Sequence, residues 1–174
     1  MIRRFLFLLS IVFSSISGGC QEQKEVKNSS YSVSTDELIK MNRDIVNKDG
    51  VVIEKYIADN KLVMKKTNTG LWYRIDKVGT GTLAKVGQTV SIVYTIKLLD
   101  GTLCYKSDSL GVKVFRLGQG GVESGLEEGL LLLKTGGKAT FIMPPHLAHG
   151  LTGDNDKIPY RSILIYEAEI IGLR

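Results

Sequence analysis

The feature that most constrains the fold is a run of alternating apolar residues in the middle of the chain, within residues 88–99. Successive side chains of a β-strand point to opposite faces, so this alternation predicts one long strand with a buried face and an exposed face. The buried face is predicted to consist of Val90, Ile92, Tyr94, Ile96 and Leu98. Such a strand needs partner strands and a second layer that covers its apolar face.

Shorter segments with the same period lie on both sides of this run. Asp100-Gly101 directly follows the long strand and predicts a tight hairpin, since both residues tolerate the positive φ that a primed turn requires. Gly79-Thr80-Gly81 predicts another turn. The other strands are predicted at 71–78, 102–107, 112–117, 137–143 and 162–173.

One short helix is predicted between these strands. Ser124 and Glu127 have the spacing of a capping box, and Gly136 is placed to end the helix. Gly125 and Gly129 lower the helix propensity but allow a sheet to approach closely. The apolar face of this helix is predicted to be Leu126, Leu130 and Leu133. The pattern predicts an α+β fold, with an antiparallel sheet of about five strands and one short helix.

Residues 34–67 show a helical period instead. Ser34 and Glu37 have capping-box spacing, which predicts a helix over 35–47. Asp49-Gly50 is predicted to end it, and a second short helix is predicted over 51–60. The apolar stripes of the two helices are Leu38, Met41 and Ile45, and Val52, Tyr56 and Ile57. This extension can dock on the sheet or mediate dimer contacts, and the sequence leaves the oligomeric state open.

The first twenty residues have the pattern of a bacterial export signal. Arg3 and Arg4 precede an apolar run over 5–13, and small residues lead to Cys20. The run is shorter than the ~20 residues that a membrane-spanning helix needs. The end of the segment resembles the lipobox of bacterial lipoproteins, in which the cysteine is acylated after cleavage, although Ser17 stands where that motif usually has leucine.

We therefore expect a lipoprotein signal over 1–19, a lipid anchor at Cys20 and a flexible tether over 20–33. The protein would then be a membrane-anchored lipoprotein of the cell envelope, facing the periplasm or the cell surface. The alternative is an ordinary signal peptide followed by an incidental cysteine.

The charge and the side-chain inventory exclude several classes of function. A net charge of +5 over 174 residues is too small to indicate nucleic-acid binding. His146 and His149 form a His-x-x-His pair without a third ligand nearby, so we expect no metal and no other cofactor. If Cys20 is acylated, Cys104 has no intramolecular partner, and we expect it to be a small core residue.

The C-terminal part of the chain carries glycines, prolines and acidic residues in a distinctive order. In sequence they are Gly118, Glu127-Glu128-Gly129, Pro145, Leu147-Ala148, Gly150, Gly153 and Ile158-Pro159, before the last predicted strand. With this order, residues 68–174 resemble the FKBP family of peptidyl-prolyl cis-trans isomerases. The resemblance implies a twisted antiparallel sheet wrapped around a short helix, with an apolar pocket for a prolyl residue between them. It also separates an isomerase domain over 68–174 from the helical extension over 34–67.

The resemblance also implies where the prolyl pocket lies. Residues that match or approximate the family's pocket walls are Tyr94, Phe115, Val122, Ile158 and Tyr166. Other positions depart from the family pattern. Cys104-Tyr105-Lys106-Ser107 stands where the family usually has Phe-Asp-Ser-Ser, and Lys113 or Val114 replaces an aromatic residue. Glu123 replaces an aliphatic residue, Leu126 replaces a tryptophan, and His149 replaces a tyrosine.

We expect Tyr105, Glu123, Leu126 and His149 to belong to the same site. The family contact at position 123 uses a backbone N–H, which survives the substitution, and His149 keeps a hydrogen-bond donor where the family has a tyrosine hydroxyl.

The implied function is isomerisation of X-Pro bonds in polypeptide clients. Rotation about an amide has a barrier of ~18–20 kcal/mol, and a water-poor apolar pocket favours the less polar twisted state. The Leu-Ala-His-Gly and Tyr-Lys-Ser stretches are also similar to exported lipoprotein FKBPs associated with gliding motility. The alternative is an FKBP-fold chaperone that binds clients and isomerises them weakly or not at all.

The lipid anchor gives a first testable prediction. A Cys20→Ser variant is expected to move from the membrane fraction to the soluble fraction, because it loses the acyl chains that bury methylenes in the bilayer. Cell fractionation and metabolic labelling with palmitate measure this change, and Cys104→Ser is the matched control that should stay membrane-bound. A Cys20→Ser variant that still fractionates with membranes would refute the anchor.

Overall fold

The computed structural model describes residues 33–174, where the alternating segment becomes the central strand of a seven-stranded sheet. The helices are α1 (Thr35–Asp59), α2 (Ser107–Leu110) and α3 (Ser124–Leu130), and a 3₁₀ turn covers Pro145–Leu147. The strands are β1 (Lys65–Lys66), β2 (Trp72–Lys77), β3 (Thr80–Leu83), β4 (Thr89–Leu98), β5 (Leu103–Lys106), β6 (Lys113–Arg116), β7 (Lys134–Thr135), β8 (Lys138–Met143) and β9 (Leu164–Leu173). The predicted signal segment, Cys20 and the tether up to residue 32 lie outside the described residues.

β4 is central because it pairs along its whole length. One edge pairs with β9, and the other pairs with β6 at the start of the strand and with β5 at its end. The order of the sheet is β1-β2-β8-β9-β4-β5, with β6 also beside β4, and all pairs are antiparallel. β3 and β7 form a separate two-stranded sheet.

The α+β class is confirmed, and there are more strands than the sequence pattern predicted. β1 and β7 have two residues each, which is too short for a period to show. Gly79-Thr80-Gly81 is not only a turn, since Thr80 begins β3. The predicted hairpin after β4 is present, but only Gly101 takes a positive φ, while the Asp100 carboxylate accepts a hydrogen bond from the Thr102 N–H at 2.8 Å.

α3 covers the buried face of the sheet, and two glycines make the close approach possible. A Cβ on Gly129 would lie 2.5 Å from Cε1 of Phe141, and a Cβ on Gly125 would lie 3.0 Å from the Leu147 carbonyl oxygen. The first distance leaves no room for a side chain against the sheet, and the second would require the 3₁₀ turn at Leu147 to shift. The leucines predicted for its apolar face are all buried, Leu126 and Leu130 within α3 and Leu133 after the helix has ended.

The predicted caps of α3 are wrong. Its N-cap is Glu123 rather than Ser124, and no side chain caps the helix. The Glu127 carboxylate instead accepts hydrogen bonds from the N–H groups of Gly118 and Gly120, at 3.0 and 3.2 Å, and so holds the preceding loop. The helix already ends at Leu130, and Gly136 serves the turn between β7 and β8 with a φ of 72°.

The N-terminal helix also differs from the prediction. α1 runs without interruption through Asp49-Gly50, although glycine costs about 1 kcal/mol in a helix interior. Tertiary contacts on either side offset that cost: Asp49 pairs with Arg161 at 2.9 Å, and Ile53 is fully buried in a cluster with Ile142 and Ile165.

The capping box that was predicted from Ser34 and Glu37 is present. The first apolar stripe is not packed on the sheet, since Leu38 and Met41 are about half exposed, at 49% and 55%. Within residues 33–174, no helix combines the length and the apolar composition that crossing a membrane requires.

The close packing of α3 on the sheet can be tested with two matched substitutions. Gly129→Ala is expected to lower the free energy of unfolding by ~1–3 kcal/mol, because the added Cβ would overlap the ring of Phe141. Gly50→Ala is the control in α1, where the nearest atom to an added Cβ is Lys66 Nζ at 3.9 Å, and it is expected to raise stability by up to about 1 kcal/mol. Urea unfolding measures both, and a Gly129→Ala variant as stable as the parent would contradict this packing.

Candidate functional site

Four of the predicted site residues form an apolar base, here called the pocket floor: Tyr94, Leu126, Ile158 and Tyr166. The register of β4 with β9 makes Tyr94 and Tyr166 diagonal neighbours on the same face of the sheet, with ring centroids 5.8 Å apart. Leu126 and Tyr166 have no exposed surface, and Ile158 is 2% exposed. All four belong to the main core cluster, so the floor is continuous with the packing of the domain.

The two tyrosines of the floor remain neutral at physiological pH. Burial, and then the carboxylate of Glu123, raise the pKa of Tyr94 above its usual value. Burial, followed by Glu123 and Tyr94, raises the pKa of Tyr166 still further. The floor therefore presents aromatic rings and hydroxyl groups without negative charge.

Phe115 and Val122 lie at the edge of the core rather than in the floor. Phe115 is on β6, opposite Val90 of β4, and Val122 is in the loop that leads into α3. Both are partly buried against the core. Of the two residues predicted to replace the family's aromatic residue, Lys113 points into the site, whereas Val114 is 59% exposed.

A second group of side chains, here called the charged cluster, consists of Lys113, Glu123 and His149. Oε1 of Glu123 lies 3.1 Å from Nε2 of His149, and Oε2 lies 3.8 Å from Nζ of Lys113. The Glu123 side chain is only 6% exposed, whereas those of Lys113 and His149 are 30% and 29% exposed. Lys113 Nζ also lies 3.5 Å from the Tyr166 hydroxyl and 5.2 Å from the centre of the Tyr94 ring.

The charged cluster lines a cleft of about 340 Å³ together with Gly121, Val122 and Ala148. The Lys113 ammonium lies over the ring of Tyr94 and beside the hydroxyl of Tyr166, so it covers the edge of the floor that faces the cleft. A ligand that enters the cleft therefore meets the charged cluster before it reaches the floor.

Tyr105 organises the turn that carries Ile158. Its hydroxyl donates a hydrogen bond to Oδ2 of Asp154 and lies 3.1 Å from Oδ2 of Asp156. Oδ1 of Asp154 accepts from the N–H groups of Asp156 and Ile158, at 2.9 and 2.8 Å. Tyr105 thus positions Ile158 of the pocket floor through Asp154, a residue that the sequence analysis did not single out.

The hydrogen bonds of this turn shift the pKa values of Tyr105 and Asp154. The bond to Asp154, and then burial, raise the pKa of Tyr105. Burial alone would raise the pKa of Asp154, but the hydrogen bonds from Tyr105 and from the backbone N–H groups outweigh it, and the pKa of this carboxyl is lowered. Asp154 is therefore ionised at neutral pH and acts as an acceptor.

The remaining histidine and cysteine do not join the site. His146 lies 3.0 Å from the Thr69 carbonyl oxygen through Nε2. Cys104 is 2% exposed in the main core, as predicted, and burial raises the pKa of its thiol. In the part of the chain that the structure describes, no three histidine, cysteine or acidic side chains are grouped so that they could hold a metal ion.

The comparisons with known proteins agree with this architecture. Residues 81–171, just over half of the chain, match the family model for FKBP-type peptidyl-prolyl cis-trans isomerases. The chain belongs to this family. A probable FKBP-type isomerase of Haemophilus influenzae is 39% identical over 62% of the chain, and FkpA of Aeromonas hydrophila is 35% identical over 82%. The crystal structure of FkpA from Escherichia coli matches 79% of this chain and 64% of that chain, with a TM-score of 0.65 and 32% identity.

The chain spans about half the length of the curated relatives it matches, 44% of the Haemophilus protein and 54% of the Aeromonas protein. A second solved structure, AtFKBP13, is matched over 99% of its length with a TM-score of 0.62 and 32% identity, and it covers 64% of this chain. The FKBP domain is therefore the part that the relatives share most completely.

The role of Tyr105 gives a prediction with a defined dependence on pH. Tyr105→Phe is expected to lower the free energy of unfolding near neutral pH by about 1 kcal/mol, because Asp154 loses a donor. The lowered pKa of Asp154 stabilises the fold above the unfolded value of about 4, and this contribution is lost as the pH falls through the folded value. The difference between the variant and the parent should therefore shrink as the pH falls below about 4.

Urea unfolding at a series of pH values measures this difference. Tyr160→Phe is the control, since Tyr160 is 75% exposed, and it should change stability at no pH in the series. A Tyr105→Phe effect of the same size at every pH would show that the hydroxyl does not act through Asp154.

Proposed function

We propose that this protein is a peptidyl-prolyl cis-trans isomerase that acts on proline-containing polypeptides. The observation that carries the proposal is the pocket floor, where Tyr94 and Tyr166 pack with ring centroids 5.8 Å apart in one buried cluster with Leu126 and Ile158. Lys113, which lines the cleft, contacts both tyrosines. Membership of the FKBP family supports the same activity. The reaction needs no nucleophile, metal or cofactor, because no covalent bond is made or broken.

The floor favours the reaction by excluding water. The planar X-Pro amide is more polar than the twisted state through which it rotates, so transfer from water to an apolar surface stabilises the twisted state relative to the planar one. Each ~1.4 kcal/mol of such differential stabilisation raises the rate tenfold.

Backbone and side-chain hydrogen-bonding groups at the cleft can position the substrate. Within residues 33–174, the N–H of Glu123 has no hydrogen-bond acceptor, which leaves it free for a substrate carbonyl. His149 lines the same cleft, and while its Nε2–H donates to Glu123, its Nδ1 can accept a hydrogen bond from a substrate N–H.

The proposed place of action is the cell envelope. Residues 1–20 support export and acylation at Cys20, and the polar residues that follow support a tether of several nanometres at most. Clients would then be exported or envelope proteins. The Leu-Ala-His-Gly and Tyr-Lys-Ser stretches support gliding-motility components as one such class of client.

A second candidate function follows from the charged cluster. The Lys113 ammonium lies against Tyr94 and Tyr166, in the position where a prolyl ring would contact the floor. If Lys113 does not leave this position, the cleft can hold client chains without twisting their X-Pro bonds. The protein would then be a client-binding chaperone with weak or no isomerase activity.

Cis-to-trans rates of proline tetrapeptides decide between the two functions. The purified chain is expected to accelerate isomerisation, and a macrocyclic FKBP ligand is expected to block it. His149→Ala should lower kcat/KM by roughly three- to tenfold, the equivalent of one hydrogen bond. His146→Ala is the matched control, because His146 lies outside the cleft. Absence of any acceleration at micromolar protein concentrations would refute the isomerase activity and favour the client-binding chaperone.

A further inference from the structure

The carboxylate of Glu123 is an unusual group to find beside an apolar floor. Its side chain is only 6% exposed, and Oε1 lies 3.1 Å from Nε2 of His149. Among the residues that the structure describes, Oε2 is buried and has no hydrogen-bond partner. A buried carboxylate oxygen without a donor is costly, so this atom is a strong acceptor for any donor that reaches the cleft.

Lys113 neutralises this carboxylate only loosely. Its Nζ is 3.8 Å from Oε2, too far for a hydrogen bond, and 3.5 Å from the Tyr166 hydroxyl. The lysine side chain is long, flexible and 30% exposed, so it can swing into solvent. If it does so, Glu123 loses its nearest cation, and a second cation must replace it to avoid a buried unpaired charge.

The surroundings favour a cation as the replacement. Asp154 and Asp156 lie on the 154–158 turn at the Tyr105 side of the site, and Asp154 is close enough to His149 for their charges to interact. Lys157, 5.3 Å from the centre of the Tyr105 ring, offsets one of these charges. Once Lys113 has moved away, three carboxylates face one lysine and His149, which gives the site a negative potential.

Glu123 is also close to the place where the client residue next to the proline would lie. It follows Val122 at the edge of the core and precedes α3, which supplies Leu126 to the floor. Lys113 Nζ lies 3.8 Å from Oε2 and 3.5 Å from the Tyr166 hydroxyl, so a cationic side chain beside a prolyl ring on the floor would be within reach of Oε2.

On the basis of the proposed function, we propose that Glu123 binds the cationic side chain of a lysine or arginine that flanks the client proline. Without a client, Lys113 occupies this position, and the cationic side chain of the client displaces it. The cleft thus selects clients in which a basic residue lies next to proline, and no covalent step is involved.

Three matched peptides test this specificity on the full chain. They carry lysine, norleucine or glutamate next to a single proline, and magnetisation-exchange NMR measures kcat/KM without a coupling protease. The lysine peptide is expected to exceed the norleucine peptide by about tenfold at low salt, and the glutamate peptide should fall below both. The preference should weaken at about 0.5 M sodium chloride, because salt screens charges.

Glu123→Gln tests the assigned residue while keeping the shape of its side chain. The lysine-to-norleucine ratio should fall to about one in this variant, whatever its absolute rate. Glu128→Gln, in the helix that Glu123 precedes, is the matched control, since Glu128 accepts a hydrogen bond from Thr69 instead of lining the cleft, and it should keep the ratio of the parent. Equal rates for the lysine and norleucine peptides in the parent, a preference for glutamate, or an unchanged ratio in Glu123→Gln would each overturn the proposal.

Peptide affinities from NMR titration separate this proposal from the isomerase proposal. A chain that binds the lysine peptide preferentially but accelerates no peptide would refute the isomerase and keep the recognition by Glu123. A chain that accelerates all three peptides equally would keep the isomerase and refute the recognition.

Discussion

The pairing of β4 with β9 is the constraint on which the rest of the structure depends. It sets Tyr94 and Tyr166 side by side on the buried face of the sheet, with ring centroids 5.8 Å apart. α3 can lie against that face only because Gly129 leaves room for Phe141. The loop before α3 is then held by Glu127, and this loop delivers Val122 and Glu123 to the site. The position of the candidate site is thus a consequence of sheet register and of helix–sheet distance.

The charged cluster beside the apolar pocket floor distinguishes this FKBP domain from the usual pattern of the family. Glu123 is buried to nearly the degree of a core residue, and Lys113 and His149 compensate it from the solvent side. An ion pair in such a place is weak evidence for stability, because the loss of hydration offsets much of the attraction. The pair is better understood as part of recognition, where a client exchanges one cation for another at a fixed carboxylate.

Much of the fold could be predicted from the sequence, because it depends on local periodicity. The alternation over Val90–Leu98 predicted β4, and the leucines of α3 were predicted on the correct face. The continuity of α1 through Gly50 could not be predicted, since Ile53 and the Asp49–Arg161 pair stabilise it through contacts that are distant in sequence. The Tyr105–Asp154 bond joins residues 49 positions apart and has no local signature. The resemblance supplied the site residues, and only the structure showed that Lys113 and Glu123 pair beside the floor.

The central claim is that the prolyl ring of a client reaches the floor when Lys113 moves aside. Intermolecular nuclear Overhauser effects between a proline peptide and the isotope-labelled chain measure this most directly. The account predicts contacts from the proline δ-protons to Tyr166 and Leu126, together with loss of the contacts between Lys113 and Tyr94. Proline contacts confined to the exposed face of α1, or a Lys113 that keeps its contacts with Tyr94 in the complex, would contradict it.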